Sequence, residues 1–101
     1  MFISFNMNPI TDLLLKNIQI FQFFTGTYIF GSVVKNHHFS NDIDILLIYD
    51  QYLNQIQSEK DNICSFLQKV FDLPIDLTIL SEQELLETKF LEKIGTYERL
   101  K

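Results

Sequence analysis

The chain has 101 residues, of which 47% are hydrophobic and 21% are charged, so it has the size and composition of one globular domain spanning residues 1–101. The net charge of −5 at pH 7 excludes binding to nucleic acid through a broad basic surface, because phosphate neutralisation needs clustered Lys and Arg side chains. The single cysteine, Cys64, excludes an internal disulfide and a thiolate metal cluster.

The apolar runs are short. None reaches the about 18 residues that a membrane-spanning helix needs, and the first residues, MFISFNMNPITD, lack the basic region and cleavage site of a secretory signal. We therefore expect a soluble, cytoplasmic protein without membrane contact. The ten phenylalanines leave open an interface with a second copy of the chain or with a partner protein.

The first half of the chain predicts a helix and two strands. Asn8 fits an N-cap before Pro9, and apolar residues at helical spacing then predict a helix over residues 9–24 that stops at Gly26. Four segments are predicted to follow: a strand over 27–30, a helical turn over 32–36, a loop over 37–41 and a strand over 43–49.

The next segment predicts a helix with an uncertain start. Residues 51–57 fit either a loop or an early helical turn. Ser58 with Asp61 three positions later is typical of a helix N-terminus, and the apolar stripe that follows predicts a helix ending before Pro74.

The last part of the chain predicts a strand over 75–80 and a final helix. Ser81 with Glu84 forms a capping box that opens this helix, Gly95 ends it, and residues 96–101 form a tail. Because helices and strands alternate along the chain, we expect one mixed sheet with helices packed mainly on one side.

Two aspartates separated by one residue begin the second strand region. Alternate residues of a strand face the same side, so Asp42 and Asp44 project together while Ile43 and Ile45 face the other way. Taken alone, such a pair also fits ordinary surface charge. Paired carboxylates nevertheless repel and are costly to bury without a cation, and oxygen ligands favour Mg²⁺ or Mn²⁺ over zinc.

A glycine and a serine, Gly31 and Ser32, lie where the first strand ends and a helical turn begins. Glycine lets a phosphate approach the backbone closely, and the N–H groups at a helix start favour an anion. Ser32 adds a hydroxyl donor. A phosphate cradle followed by a metal-binding carboxylate pair predicts a nucleoside triphosphate site.

At these residues the chain resembles the minimal nucleotidyltransferases of the DNA polymerase beta superfamily. Their signature is an apolar residue with Gly-Ser, a loop, and Asp-x-Asp between apolar residues. Here it comprises Phe30-Gly31-Ser32, a nine-residue loop and Asp42-Ile43-Asp44. The family carries a third carboxylate on a later strand, and Asp76 in LPIDLTIL occupies that setting. The resemblance spans residues 13–94 and implies an α/β (α+β) fold of the palm-like nucleotidyltransferase type.

The resemblance also implies a reaction and its residues. Members transfer a nucleoside monophosphate from a triphosphate to an acceptor hydroxyl and release pyrophosphate. Carried over, Asp42, Asp44 and Asp76 are catalytic ligands of two Mg²⁺ ions, with Asp76 also the base. Gly31 and Ser32 bind the nucleotide.

The loop after Ser32 differs from many members of the family. They have an arginine-rich loop of the form Arg-Ala-Arg-Gly, whereas this chain has Val33-Val34-Lys35-Asn36. Lys35 fits either a phosphate contact or a solvated surface position. His37 and His38 fit either exposed loop positions or the nucleotide pocket.

Small members of the family often act as antitoxins beside a HEPN-domain toxin, which is an RNase. They transfer AMP from ATP to a tyrosine of the toxin. Because a chain of this size holds no added substrate-binding domain, the first hypothesis is a magnesium- and ATP-dependent protein adenylyltransferase whose partner is a HEPN-domain toxin. Two alternatives stay open: an antitoxin that neutralises its partner by binding alone, and a transferase that acts on a small-molecule acceptor.

Overall fold

The computed structural model describes residues 9–31 and 42–101, and the structural statements below concern these residues. The elements are α1 (Pro9–Lys16), a 3-10 turn (Ile18–Phe21), β1 (Gly26–Phe30), β2 (Ile43–Tyr49), α2 (Gln55–Phe71), β3 (Ile75–Ser81), α3 (Glu82–Thr88), α4 (Phe90–Ile94) and β4 (Tyr97–Arg99). None of the helices in these ranges is long and apolar enough to cross a bilayer.

The four strands form one mixed sheet in the order β3-β2-β1-β4. Strand β1 is antiparallel to both β2 and β4, whereas β2 is parallel to β3. The α2 helix lies between β2 and β3 in sequence and supplies the crossover that a parallel pair requires. This architecture confirms the predicted α/β fold with a small mixed sheet.

The main core lies on one face of the sheet and is centred on β2. Ile43, Ile45 and Leu47 alternate along that strand and are completely buried. The 3-10 turn and the long helix α2 cover this face, and the core cluster comprises Leu14, Phe21, Phe24, Ile29, Ile43, Ile45, Leu47, Ile63, Leu67 and Ile75. Each fully buried side chain of this kind contributes about 1.5–3 kcal/mol of hydrophobic stabilisation.

The opposite face of the sheet carries the acidic residues and a smaller apolar layer. Leu46 and Ile48, which alternate with the core residues of β2, are also buried. The ring of Phe90 in α4 packs edge-to-face on Phe30 at a centroid distance of 5.7 Å. Because Phe30 pairs with Asp44, α4 lies on the acidic face. The prediction of helices mainly on one side therefore holds for the long helices, while a short helix lies on the other face.

The first predicted helix is shorter than expected. The α-helix ends at Lys16, and the chain continues as the 3-10 turn Ile18–Phe21. Gly26, predicted to stop the helix, is the first residue of β1. The ammonium group of Lys101 donates hydrogen bonds to the carbonyls of Phe21 (3.0 Å) and Phe24 (2.6 Å), which stabilises the end of this irregular segment.

The start of α2 agrees with one of the two alternatives for residues 51–57, an early helical turn, whereas the capping role predicted for Ser58 is wrong. The helix begins at Gln55, so Ser58 lies inside the helix and its hydroxyl donates to the carbonyl of Gln55 rather than capping an N-terminus. The capping box at Ser81 is confirmed, because the Ser81 hydroxyl accepts from the Glu84 backbone and the Glu84 carboxylate accepts from the Ser81 backbone.

The end of the chain departs most from prediction. The last helix is broken at Lys89, whose backbone is left-handed (φ 53°), and its second half ends at Gly95 as predicted. Residues 97–99 form the strand β4 instead of a tail. The edge of β1 offers unpaired backbone groups, and this pairing satisfies them.

Candidate active site

The structure brings two of the predicted acidic residues together across neighbouring strands. Asp44, the second residue of β2, is directly opposite Asp76 of β3 in the parallel register. Asp42 lies one residue before β2 and two positions from Asp44, so alternation directs both to the same face of the sheet. Asp76 is exposed, and Asp42 and Asp44 are half-buried.

The electrostatics of Asp44 show how close these carboxylates lie. The pKa of Asp44 is raised from 3.8 to about 6 by four causes together: burial, which is the largest, the negative charges of Asp42 and Asp76, and a hydrogen bond with Asp76. That hydrogen bond stabilises the protonated form, in which Asp44 donates to Asp76. Below about pH 6 the pair therefore shares a proton, and above it both carboxylates are charged at a position where a cation would neutralise them.

Gly31 lies against this acidic pair. Its φ of 82° is in the left-handed region, and a Cβ atom built on it would overlap the Asp44 carboxylate, with Asp44 Cγ only 3.2 Å away. Glycine is therefore required at this position both by backbone conformation and by the space that Asp44 occupies. The sequence had suggested only that glycine lets a phosphate approach.

The remaining predicted loop residues cannot be placed beside this pair. Ser32, Lys35, His37 and His38 lie outside the described residues. Their assignment to the nucleotide site stays a prediction.

The carboxylate oxygens of this site are ligands that suit a hard divalent cation. In the stretches 9–31 and 42–101, no group of three or more His, Cys, Asp or Glu side chains is arranged to hold a metal. Asp44 and Asp76 contact each other, and Asp42 is within electrostatic reach. Mg²⁺ is usually bound by one or two carboxylates, and water and substrate phosphates complete its coordination shell. The carboxylates of Asp42, Asp44 and Asp76 are therefore ligands of the right chemical type for Mg²⁺.

The sequence patterns did not identify the residues that lie beside Asp44 on the acidic face, on the side away from Asp76. In register across the four strands lie Tyr97, Phe30, Asp44 and Asp76. Tyr97 was assigned to a tail. The alternation of aromatic or basic residues with Glu98 and Leu100 is a strand pattern that could have identified β4, although three residues give a weak signal.

Comparison with known proteins agrees with this geometry. The family model described as "Polymerase beta, Nucleotidyltransferase" matches residues 9–98. No curated protein matches the chain. The fold is similar to that of a chain in a crystal structure from Shewanella oneidensis, with a TM-score of 0.53 and 21% identity over 94% of this chain and 72% of that one. Because the family model spans nearly the whole chain, the protein belongs to the polymerase beta nucleotidyltransferase family.

Proposed function

We propose that the protein is an adenylyltransferase that transfers AMP from ATP to a tyrosine hydroxyl of a HEPN-domain toxin and so acts as its antitoxin. The observation that carries the enzymatic part is the contact between Asp44 and Asp76, with Asp42 beside them and Gly31 against Asp44. Three converging negative charges are unfavourable in the free protein. They are favourable once a divalent cation and a triphosphate are bound.

The transfer requires an acceptor, a leaving group and a proton sink. The acceptor oxygen forms a bond to the α-phosphorus of ATP, the bond from this phosphorus to the bridging oxygen of the β-phosphate breaks, and pyrophosphate leaves with that electron pair. The hydroxyl proton passes to the Asp76 carboxylate. Asp42, Asp44 and Asp76 would hold Mg²⁺, which supplies charge neutralisation for the attacking and leaving oxygens.

The position of Asp76 supports a large acceptor. Strand β3 is at one edge of the sheet, and the Asp76 side chain is exposed there. A tyrosine on the surface of another protein can therefore approach Asp76 from solvent without entering a deep cavity. This geometry favours a protein acceptor over a small molecule that would need an enclosing pocket.

The proposal is tested by incubating the protein with its partner, ATP and Mg²⁺ and measuring the mass of the partner. We expect a mass increase of one AMP with the wild type and with Asp50→Asn, because Asp50 is exposed just beyond the far end of β2. Asp44→Asn and Asp76→Asn should give no increase. An unmodified partner with the wild type, or equal modification by Asp44→Asn, would refute the enzymatic proposal.

A second candidate is neutralisation by binding alone. It is favoured by the carboxylates bonding to each other rather than forming a three-ligand group within the described residues. The double variant Asp42→Asn/Asp44→Asn separates the two candidates in cells. Protection from the toxin is lost if transfer is required, and it is retained if binding is sufficient.

A further inference from the structure

Strand β4 presents two side chains to the acidic face of the sheet. The middle residue, Glu98, accepts a hydrogen bond from the Thr11 hydroxyl of α1 at 3.0 Å, so it points to the opposite, helix-covered face. Because side chains alternate along a strand, Tyr97 and Arg99 point to the face that carries Asp44. Pairing of Tyr97 with Phe30 and of Arg99 with Tyr28 places them directly beside β1.

Tyr97 lies two strands away from the carboxylates at the same level of the sheet. Phe30 pairs with Tyr97 on one side and with Asp44 on the other. Two strand spacings of about 4.8 Å put the Cα atom of Tyr97 about 10 Å from that of Asp44. A nucleoside monophosphate spans a comparable distance from its phosphorus to its base, so a nucleotide with its phosphates at Asp44 can reach Tyr97 with its base.

The ring of Tyr97 is held in place but remains accessible. It meets the Tyr28 ring edge-on, with centroids 5.6 Å apart and an interplanar angle of 77°. The guanidinium carbon of Arg99 lies 5.7 Å from the centroid of the same Tyr28 ring, and Arg99 Nε donates to the Lys101 carbonyl at 2.8 Å. Tyr97 is nevertheless 40% exposed. A supported aromatic ring with an accessible surface is suited to stacking on a planar ligand.

We propose that Tyr97 stacks on the base of the bound nucleotide. The inference rests on the proposed function, because it takes the phosphates to lie at the acidic pair. Phe30 lies between Asp44 and Tyr97 in the strand register and packs against Phe90 of α4, so these two rings border the path of the ribose. Tyr28 and Arg99 are positioning residues that fix the Tyr97 ring.

Stacking has a consequence for nucleotide choice. Every base has an aromatic face, so stacking contributes to affinity without selecting strongly among bases. Loss of the Tyr97 ring should therefore weaken the binding of ATP and the binding of GTP by similar factors. Binding of inorganic tripolyphosphate, which has no base, should not change.

The test is calorimetric titration with MgATP and with magnesium tripolyphosphate. We expect Tyr97→Ala and Tyr97→Leu to weaken MgATP binding by about 5- to 150-fold, the range for loss of one base–aromatic stack, and to leave tripolyphosphate affinity unchanged. Tyr97→Phe retains the ring and should bind as the wild type does. Tyr52→Ala is the matched control, because Tyr52 is 71% exposed beyond the opposite end of β2. The leucine variant preserves apolar bulk if the alanine variant folds poorly.

The outcomes separate this inference from the proposed function. A wild type that binds neither MgATP nor tripolyphosphate overturns both. A wild type that binds MgATP, with Tyr97→Ala and Tyr97→Leu binding it equally well, overturns only the stacking role. In transfer assays, the same variants should raise KM for ATP by the factor seen in binding and leave kcat within about threefold.

Discussion

Replacing Asp44 by asparagine should stabilise the protein while abolishing transfer. The pKa of Asp44 is raised from 3.8 to about 6, so the folded state binds its proton more tightly than the unfolded state does. The resulting penalty is absent below pH 3.8, grows between pH 3.8 and about 6, and is complete above that. Asparagine has no charge to bury, and its amide can donate to Asp76 as the protonated carboxyl does.

The magnitude follows from the shift and from the exposure of the side chain. The rise in the pKa of Asp44 from 3.8 to about 6 corresponds to about 3 kcal/mol if fully expressed, but Asp44 is only half-buried. Solvent screening reduces this to about 1 kcal/mol. For a domain of this size, that raises Tm by about 4–8 °C.

The assay is thermal unfolding of the wild type, Asp44→Asn and Asp50→Asn at pH 4 and pH 8 without metal. Asp44→Asn should melt higher than the wild type at pH 8, and the difference should nearly vanish at pH 4. Asp50→Asn should follow the wild type at both values. If Asp44→Asn melts lower at pH 8, or gains equally at both pH values, the reasoning from burial and carboxylate repulsion is wrong.

Two further substitutions test the local geometry, each with a matched control. Gly31→Ala should abolish MgATP binding and should lower Tm more than Gly95→Ala does. Both glycines have positive φ, but a Cβ atom at Gly31 meets Asp44, whereas nothing lies within 4 Å of one at Gly95. Equal losses of Tm in the two variants would refute the overlap. Thr27→Val should raise the free energy of unfolding by about 1 kcal/mol in urea titration, since the Thr27 hydroxyl is buried without a hydrogen-bond partner in the described part of the chain. Thr25→Val, which removes a hydroxyl that donates to a backbone carbonyl at 3.2 Å, should give no such gain, and a destabilised Thr27→Val would contradict the argument.

The parts of the fold predicted from sequence are those with strong local signals. The strand Ile43–Tyr49 was predicted with its observed bounds, because the apolar residues at positions 43 and 45–49 leave little choice of structure. The capping box at Ser81 also identified its helix start. Strand β4 could not be predicted, because its three residues have no pattern strong enough to outweigh a tail and depend on the free edge of β1.

The candidate site also has features that the local sequence predicted and features that only the assembled sheet determines. Spacing within one strand predicted that Asp42 and Asp44 share a face, but the contact with Asp76 depends on the register of two strands joined by a long helix. Only the assembled sheet sets that register. The left-handed backbone of Lys89, which breaks the last helix, was equally hidden, since lysine gives no local signal for it.

The position of β2 in the sheet explains why its residue Asp44 has partners on both sides. It is a central strand, antiparallel to β1 and parallel to β3, so hydrogen bonds fix its backbone on both edges. Strand β1 leads directly into Gly31, which makes room for the Asp44 carboxylate, and β3 provides Asp76, which forms a hydrogen bond with Asp44. An edge strand could offer only one such neighbour. Because the buried face of β2 packs Ile43, Ile45 and Leu47 against the long helix, the stability gained there offsets the repulsion on the acidic face and holds the carboxylates in the arrangement that the proposed cation would require.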